Sequence, residues 1–516
     1  MTLWSRKARL RRVKQDRTAR GSVRAGVVVA LTLALTVSPA VPASADPSPV
    51  PPVPATQEPR PAEPRPAEPR TAEPRPAEPR VVEPSPAAPS PAAPSPAAPS
   101  QADQPAPGPS AAVRVTRLKW YTDRRVALWV FSPAMNTEIQ VQLLLARDWW
   151  SRPNAKFPQL YTLDGLRAQD DQNGWIINTD IESFYRDKNV NVVLPVGGES
   201  SFYTDWKQPD RGKNYQWETF LMRELPLILE GQWRSTDVRG VQGLSMGGTA
   251  AMMLAVRTPG FFRFAASYSG ILQLTSYGMP QAIQFALRDG GGYDAMKMFG
   301  EPSDPAWAEH DPYVLADRLR GTSLYISSGN GVIGPHDRPS DIPLLATNYS
   351  GVGLEALSRT TSQQFATKLA KAGIPAQAVY RPSGTHTWPY WEFEMKQSWP
   401  QIASALGLSG DRVACRYGAA FKNAKQLRSL GGCLTPQYPV PGGHAQDFRN
   451  GRLFTGPKGP KVVAGAIGGA YVPEFHRLGL PTSDELTSRD GKVKFNTFER
   501  GRIDWTPAGG ARVFGR

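Results

Sequence analysis

The sequence predicts an α/β fold over residues 113–408, with a mainly parallel sheet and helices on both faces. Short apolar, β-branched runs alternate along this region with segments of helical spacing, the order expected of βαβ units. The run NVNVVLPVG at residues 189–197 is apolar and ends in glycine, which is typical of a buried parallel strand. The pattern Gly-x-Ser-x-Gly at residues 243–247 lies between a predicted strand and a predicted helix.

About 290 residues suffice for a large core. Predicted strands cover residues 126–135, 139–147, 189–197, 238–243, 262–270, 323–331 and 375–381. Predicted helices cover residues 215–230, 249–257, 361–373 and 391–407.

Residues 1–45 have the features of a signal peptide. Nine Lys/Arg precede an apolar core at residues 25–37, and Ala43-Ser44-Ala45 is a small-residue cleavage site. The core of 13 residues is shorter than the ~20 that a spanning helix needs. We therefore expect cleavage after Ala45, export to the cell envelope, and no transmembrane helix in the mature form.

Residues 46–112 form a Pro-rich linker. EPRPA-type repeats are followed by APSPA-type repeats, a composition that cannot bury a core and favours disordered, extended polyproline II conformations.

The net charge of +15 is concentrated at the start of the chain, because residues 1–45 carry nine positive charges and one negative charge. The remaining charge is spread without a dense basic run. Nucleic-acid binding requires a clustered basic face, so we expect no nucleic-acid partner.

Residues 409–516 form a third, Gly-rich region. Its two cysteines, Cys415 and Cys433, are predicted to form a disulfide in an exported protein. Part of the region recurs fifty residues later, which predicts a two-copy module that binds something extended. Removing residues 415–516 is expected to release the protein from the wall and to spare its activity. The matching residues are Phe448, Gly451, Arg452, Pro457, Gly459, Val463 and Gly465 with Phe498, Gly501, Arg502, Pro507, Gly509, Val513 and Gly515.

Ser245 is the candidate nucleophile. In a strand–turn–helix setting the pattern presents a serine on a sharp turn, and this serine needs a histidine base and a carboxylate further along the chain. His386 follows the last predicted strand, where such a fold places its base, so we prefer it to His310 and His336. The pattern leaves the acid open between the loop residues Asp337 and Asp341 and the helical Glu355, with a preference for the aspartates.

Several longer motifs resemble the antigen 85 family of mycobacterial mycolyltransferases over residues 118–408. They are LYTLDGLRAQDDQNGWIINT, LPVGGESSFYTDW, YQWETFLMRELP, GLSMGG and GTHTWPYW. The resemblance implies an α/β-hydrolase fold and an acyl-serine enzyme. Such an enzyme would transfer mycoloyl groups from trehalose mycolates to trehalose monomycolate or to cell-wall arabinogalactan. The family's glutamate aligns with Glu355, which reverses the preference for the aspartates.

The resemblance also implies further roles. The backbone N–H of Leu166 joins that of Met246, already expected from the turn, as an oxyanion donor. Gln273 stands where the family has an acidic residue. The tail resembles LGFP repeats, which are associated with the envelope glycan. The expected substrate-binding residues are Asp164, Leu166, Arg167, Gln169, Arg359, Thr387 and Trp388.

We expect neither a metal nor a cofactor. Two other functions fit the same residues: a secreted serine esterase that hydrolyses acyl sugars, and a non-catalytic envelope-binding protein.

Overall fold

A computed structural model describes residues 112–337, 349–417, 421 and 424–515. The predicted signal peptide, its cleavage site, the linker up to residue 111 and Asp341 lie outside the described residues. None of the described helices combines the length and the hydropathy needed to span a lipid bilayer.

The α/β domain is built on a sheet of nine strands in the order β1-β2-β3-β5-β4-β6-β7-β8-β9. The first three strands and β5 pair antiparallel, and the strands from β5 to β9 along the sheet pair parallel. The strands are β1 Arg114–Trp120, β2 Arg125–Ser132, β3 Thr137–Leu144, β4 Phe157–Leu163, β5 Asn191–Pro195, β6 Ser235–Leu244, β7 Phe264–Tyr268, β8 Ser323–Ser328 and β9 Ala376–Tyr380.

Helices cover both faces of this sheet, so the predicted fold class is confirmed. Alternate strand residues enter different cores: Leu160 and Val192 pack on one face, and Tyr161 and Val193 on the other. The helices are α1 Gly174–Asn178, α2 Ile181–Tyr185, α3 Trp217–Thr219, α4 Leu225–Gln232, α5 Met246–Arg257, α6 Met279–Gly291, α7 Ala295–Phe299, α8 Ala306–Glu309, α9 Tyr349–Lys371 and α10 Trp388–Ala405.

Strand β4 was not predicted, although it lies at the centre of the sheet beside β6. Its polar Gln159 and Thr162 interrupt the apolar run that marks a buried strand. Both are fully buried, and each makes a hydrogen bond to a distant part of the chain: the Gln159 amide donates to the Thr236 carbonyl at 2.5 Å, and Gln242 donates to the Thr162 hydroxyl at 3.0 Å.

Two predicted helices also differ from the structure. The helix expected at 361–373 extends over Tyr349–Lys371, so Glu355 lies inside it. The helix expected at 215–230 contains a π-helical turn at Phe220–Glu224. Pro226 follows that turn and has no N–H for the regular helical hydrogen bond, which favours a local change of helical geometry.

The C-terminal region contains two copies of one small unit, each with a four-stranded antiparallel sheet. We call them the first repeat and the second repeat. The first comprises α11 Leu427–Leu430, β10 Tyr438–Val440, β11 Gly443–Phe448, β12 Gly451–Thr455 and β13 Lys461–Val463. After α12 Gly465–Tyr471, the second comprises α13 Phe475–Leu478, β14 Leu486–Thr487, β15 Lys494–Phe498, β16 Gly501–Thr506 and β17 Gly510–Gly515.

The predicted internal repeat is visible in the backbone. Phe448 pairs with Gly451 at one hairpin turn, and Phe498 pairs with Gly501 at the other. Each unit also has a short helix that ends at a glycine of positive φ, 69° at Gly431 and 68° at Gly479. The predicted disulfide between Cys415 and Cys433 is present.

The first repeat packs against the amino edge of the parallel strands through buried ion pairs. Asp447 accepts from Arg124 of the α/β domain at 2.8 Å and from Arg452 at 2.6 Å, and Arg452 also contacts Asp123 at 3.3 Å. Burial opposes the charge on Asp123, but Arg186, Arg452 and Arg124 outweigh it and hold the pKa of this carboxyl below its usual range. The tail and the α/β domain thus share a buried interface.

Candidate active site

Ser245 lies on a strained turn between β6 and α5. Its φ of 51° and ψ of −121° are unfavourable for a residue with a Cβ. The flanking glycines permit the turn because a Cβ on Gly243 would approach the Gly247 oxygen to 2.2 Å. A Cβ on Gly247 would approach the Asp164 carbonyl oxygen to 2.3 Å. The turn therefore holds the Ser245 hydroxyl at the carboxyl edge of the sheet, as a nucleophile elbow does.

His386 connects Ser245 to a carboxylate. Its Nε2 lies 2.8 Å from the Ser245 Oγ, and its Nδ1 lies 2.7 Å from Oε2 of Glu355. The Glu355 side chain is 1% exposed and that of His386 is 9% exposed. The structure thus brings together the three residues expected as nucleophile, base and acid, hydrogen-bonded in the order of a serine-hydrolase triad.

The second carboxylate oxygen of Glu355 has its own donors, which the sequence did not indicate. Ser269 donates its hydroxyl to Oε1 at 2.8 Å, and the Gly329 N–H donates to the same oxygen at 2.6 Å. The Trp391 indole N–H donates to the Ser269 hydroxyl at 3.1 Å. Ser269 has a positive φ of 55°, and this outlier is the one feature that marks it as a supporting residue.

Asp337, the alternative acid, lies in the loop after β8 but has a different set of partners. It accepts from the Thr385 hydroxyl at 2.6 Å, from the Tyr390 hydroxyl at 2.7 Å and from the Gly334 N–H at 2.7 Å. These contacts fix the segment on either side of His386. Asp337 therefore positions the loop that carries the histidine, and Glu355 contacts its ring.

The N–H groups of Leu166 and Met246, the expected oxyanion donors, have no backbone partner among the described hydrogen bonds. Met246 is the first residue of α5, so its N–H has no partner within the helix. Among the described residues, the Leu166 N–H donates no hydrogen bond to another backbone group. A Cβ on Gly165 would lie 3.9 Å from the Ser245 Cβ, which places the Leu166 loop directly beside the nucleophile.

Residues 200–203 form hydrogen bonds with both Leu166 and Met246. The Ser200 N–H donates to the Leu166 carbonyl at 2.9 Å, and the Phe202 N–H donates to the Met246 sulfur at 3.3 Å. Ser200, Phe202 and Tyr203 all have positive φ, between 49° and 58°. The sequence motif that contains these residues carries only the family resemblance. The hydrogen bonds show that the segment contacts both Leu166 and Met246.

The side chains of Asp164, which follows β4, and Trp388, two residues after His386, lie together. The Asp164 carboxylate accepts from Gly165 N–H at 2.8 Å and Gly174 N–H at 2.6 Å. Burial raises the pKa of Asp164, although both backbone hydrogen bonds oppose that rise. A Cβ on Gly174 would come within 2.6 Å of both side chains, so glycine is required for their close packing. Trp388 packs edge-to-face on Trp175 at 5.6 Å.

The remaining predicted substrate residues differ in accessibility. Arg167 and Gln169 are exposed, and Arg167 pairs with Asp289 on α6 at 2.7 Å. Arg359 instead directs its guanidinium to the carbonyls of Gly329 and Arg381, so it ties two loops together. Thr387 is half-buried directly before α10.

His310, the earlier histidine, lies in the core. Its Nδ1 is 2.7 Å from the Ala306 carbonyl oxygen and its ring packs on Phe299 at 4.4 Å. Burial, with the charge of Arg257, lowers the pKa of His310 from 6.5 to about 4. His336 packs against Tyr390 and Phe393 in the loop after β8.

His310 should make the fold sensitive to acid. Between pH 6.5 and about 4 the unfolded chain binds the proton more readily, so the free energy of unfolding decreases as pH falls through this window. The loss of stability that this group causes is complete below its pKa in the folded protein and amounts to about 3 kcal/mol. We expect an NMR titration to find the His310 imidazole neutral at pH 5.5 and denaturation to show the loss of stability. Protonation of His310 near pH 6.5 in the folded protein would contradict this.

Two family models match parts of the chain. The Esterase family model matches residues 132–402, and the LGFP repeat model matches residues 478–516. The diacylglycerol acyltransferase/mycolyltransferase Ag85C of Mycobacterium avium is 40% identical over 296 residues, which cover 56% of this chain and 79% of that protein. The chain belongs to the antigen 85 family.

Further relatives of this antigen 85 family member have similar overlap. The diacylglycerol acyltransferase/mycolyltransferase Ag85A of Mycobacterium tuberculosis is 38% identical over 301 residues, covering 57% of this chain and 84% of that protein. The crystal structure of Mycobacterium tuberculosis MPT51 is 28% identical, covers 54% of this chain and 97% of that chain, and has a TM-score of 0.47.

Proposed function

We propose that this protein is an exported acyltransferase that moves mycoloyl groups between sugar hydroxyls through an acyl-serine. The donor is trehalose monomycolate, and the acceptor is a second trehalose monomycolate or cell-wall arabinogalactan. The observation that carries the proposal is the hydrogen-bonded series Ser245–His386–Glu355 beside two backbone N–H groups. The similarity to proteins named mycolyltransferases supports this acyl donor.

The first half-reaction forms the acyl-serine. Ser245 Oγ attacks the ester carbonyl carbon while its proton passes to Nε2 of His386, and Glu355 stabilises the resulting imidazolium. The carbonyl oxygen becomes an oxyanion that the Leu166 and Met246 N–H groups bind. Removing one such donor costs about 3–4 kcal/mol of transition-state stabilisation. The carbon–oxygen bond to trehalose then breaks, and His386 returns the proton to the departing sugar oxygen.

The second half-reaction transfers the chain. An acceptor hydroxyl gives its proton to His386 and attacks the acyl carbonyl, and the same N–H groups bind the second oxyanion. Collapse forms the new ester and returns the proton to Ser245. Asp164 and Trp388, whose side chains lie together at Gly174, are proposed to contact the sugar of the donor or the acceptor.

Incubating the purified protein with trehalose monomycolate tests this directly. We expect trehalose dimycolate and free trehalose in equal amounts, because each transfer releases one sugar. Free mycolate as the main product would instead identify a secreted esterase, since water would be the acceptor.

A non-catalytic envelope-binding protein remains the alternative of a different class, and a serine-reactive phosphonate distinguishes it. The wild-type protein should be labelled at Ser245, and Ser245→Ala should not be labelled. Equal labelling of both, or no labelling of either, would remove the enzymatic interpretation.

A further inference from the structure

The Ser269 hydroxyl beside Glu355 carries one proton and two lone pairs, so its chemistry alone allows it to donate or to accept. It lies 2.8 Å from Oε1 of Glu355, and the Gly329 N–H donates to the same oxygen at 2.6 Å. The other carboxylate oxygen, Oε2, faces Nδ1 of His386 at 2.7 Å. The direction of the Ser269 hydrogen bond therefore determines whether Oε1 receives two donors or is left able to carry a proton.

The indole of Trp391 fixes this direction. An indole N–H can only donate, and that of Trp391 donates to the Ser269 oxygen at 3.1 Å. A hydroxyl that accepts a hydrogen bond becomes a stronger donor, because successive hydrogen bonds polarise one another. Among the described residues, Oε1 of Glu355 is the one acceptor of the Ser269 hydroxyl. The Trp391 N–H thus directs the Ser269 proton to Glu355.

The surroundings of Trp391 strengthen its effect on the triad. Trp391, Ser269 and Glu355 are all buried, and hydrogen bonds to a charged group are stronger in such a low-dielectric environment. Trp391 also packs nearly perpendicular to the His386 ring, with the two ring centroids 5.0 Å apart. Trp391 therefore contacts the base directly and reaches the acid through Ser269.

We propose that Trp391 is a positioning residue that keeps Glu355 an anion in the triad. With one hydroxyl and two N–H groups donating to it, the carboxylate accepts three hydrogen bonds and holds no proton. The proton that leaves the nucleophile accordingly stays on His386, where the carboxylate stabilises it, until the departing sugar oxygen takes it. This inference rests on the acyl-serine chemistry of the proposed function and adds to it a residue with no role in the sequence-based assignment.

Trp391→Phe in the full chain tests the proposal, because it keeps an aromatic ring and removes the N–H. With p-nitrophenyl butyrate as the probe, we expect kcat to fall by about tenfold, the effect of one hydrogen bond in a charged network. KM should change by less than about twofold, since the interaction acts in the transition state. Trp307→Phe is the matched control and should change kcat by less than about twofold. Trp307 is 2% exposed against 6% for Trp391, and its N–H donates to the Gly300 carbonyl at 3.2 Å, away from the triad.

A double-mutant cycle with Ser269→Gly separates this role from simple packing. Ser269 has a φ of 55°, which glycine adopts without strain, so the fold should tolerate loss of the hydroxyl. We expect Ser269→Gly to lower kcat by about tenfold or more. The double variant should lose no more than Ser269→Gly alone, because Trp391 acts through that hydroxyl. Losses that multiply, or an unchanged kcat in either single variant, would overturn the proposal.

The thermal midpoint of each variant reports whether it is folded. If Trp391→Phe is unfolded, benzothienylalanine at position 391 supplies the shape of tryptophan without the N–H. It should give the same loss of kcat, and wild-type activity would overturn the proposal. The probe requires only the triad. A wild type that cleaves the probe but forms no trehalose dimycolate would refute the proposed transfer and leave this test in force, whereas a wild type inert toward the probe would refute both.

Discussion

Replacing Glu355 with Gln is expected to lower kcat by about 10⁴-fold and to leave the fold intact. The amide cannot stabilise the imidazolium that forms on His386, and it favours the wrong tautomer of the ring, an effect of this size in another serine hydrolase. Ser245→Ala should lower kcat at least as much, because it removes the nucleophile. Initial rates with a soluble acyl ester measure both losses, and a denaturation curve confirms that each variant is folded.

Asp337→Asn is the matched control for Glu355→Gln. Asp337 is the carboxylate that fold position alone would select, but it contacts Thr385 and Tyr390 instead of the His386 ring. We therefore expect it to lower kcat by about tenfold or less, within the effect of a displaced positioning residue. If Asp337→Asn lost as much activity as Glu355→Gln, the assignment of the acid would be wrong.

Replacing Asp447 with Asn is expected to destabilise the protein by about 3–5 kcal/mol. Asp447 is 1% exposed and neutralises Arg124 of the α/β domain together with Arg452. Its loss leaves two buried guanidinium groups with only Asp123 to compensate them, and an uncompensated buried charge carries a cost of this size. Urea denaturation of wild type and variant measures the difference.

Asp504→Asn in the second repeat is the corresponding control. Asp504 pairs with Arg502, the residue that matches Arg452 in the internal repeat, but the Arg502 side chain is 48% exposed. An exposed pair contributes about 1 kcal/mol or less. Similar losses for Asp447→Asn and Asp504→Asn would show that the buried interface does not contribute to stability.

The same interface changes the expectation for removal of the tail. From the sequence, a chain without residues 415–516 should lose wall binding and keep its activity. In the structure this deletion removes the partners of Arg124 and Asp123 and uncovers Trp150, over which Arg452 lies at 4.7 Å. We therefore expect the truncated protein to unfold at a lower temperature than the full chain.

Parts of the fold could be predicted because they depend on neighbours in the chain. The apolar run at 189–197 and the glycines around Ser245 encode a buried strand and a sharp turn by themselves. Strand β4 was missed because its buried Gln159 and Thr162 form hydrogen bonds with Thr236 and Gln242, which lie about eighty residues away. Local polarity cannot reveal a partner so distant in sequence.

For the site, the sequence alone identified Ser245 and preferred His386, and it needed a family resemblance to select Glu355. Hydrogen bonds across the fold explain why that carboxylate, inside a helix, reaches the histidine while Asp337 supports the loop. The supporting role of Ser269 was not predicted, and residues 200–203 entered only within a family motif, because their contacts form across the fold.

The sequence by itself determined the nucleophile turn, the internal repeat and the disulfide, because each is encoded in residue types at short or regular spacing. Only the tertiary structure decided which carboxylate meets His386 and where the first repeat packs. Those features depend on side chains brought together across hundreds of residues, and packing and charge pairing in the folded molecule determine which of them meet.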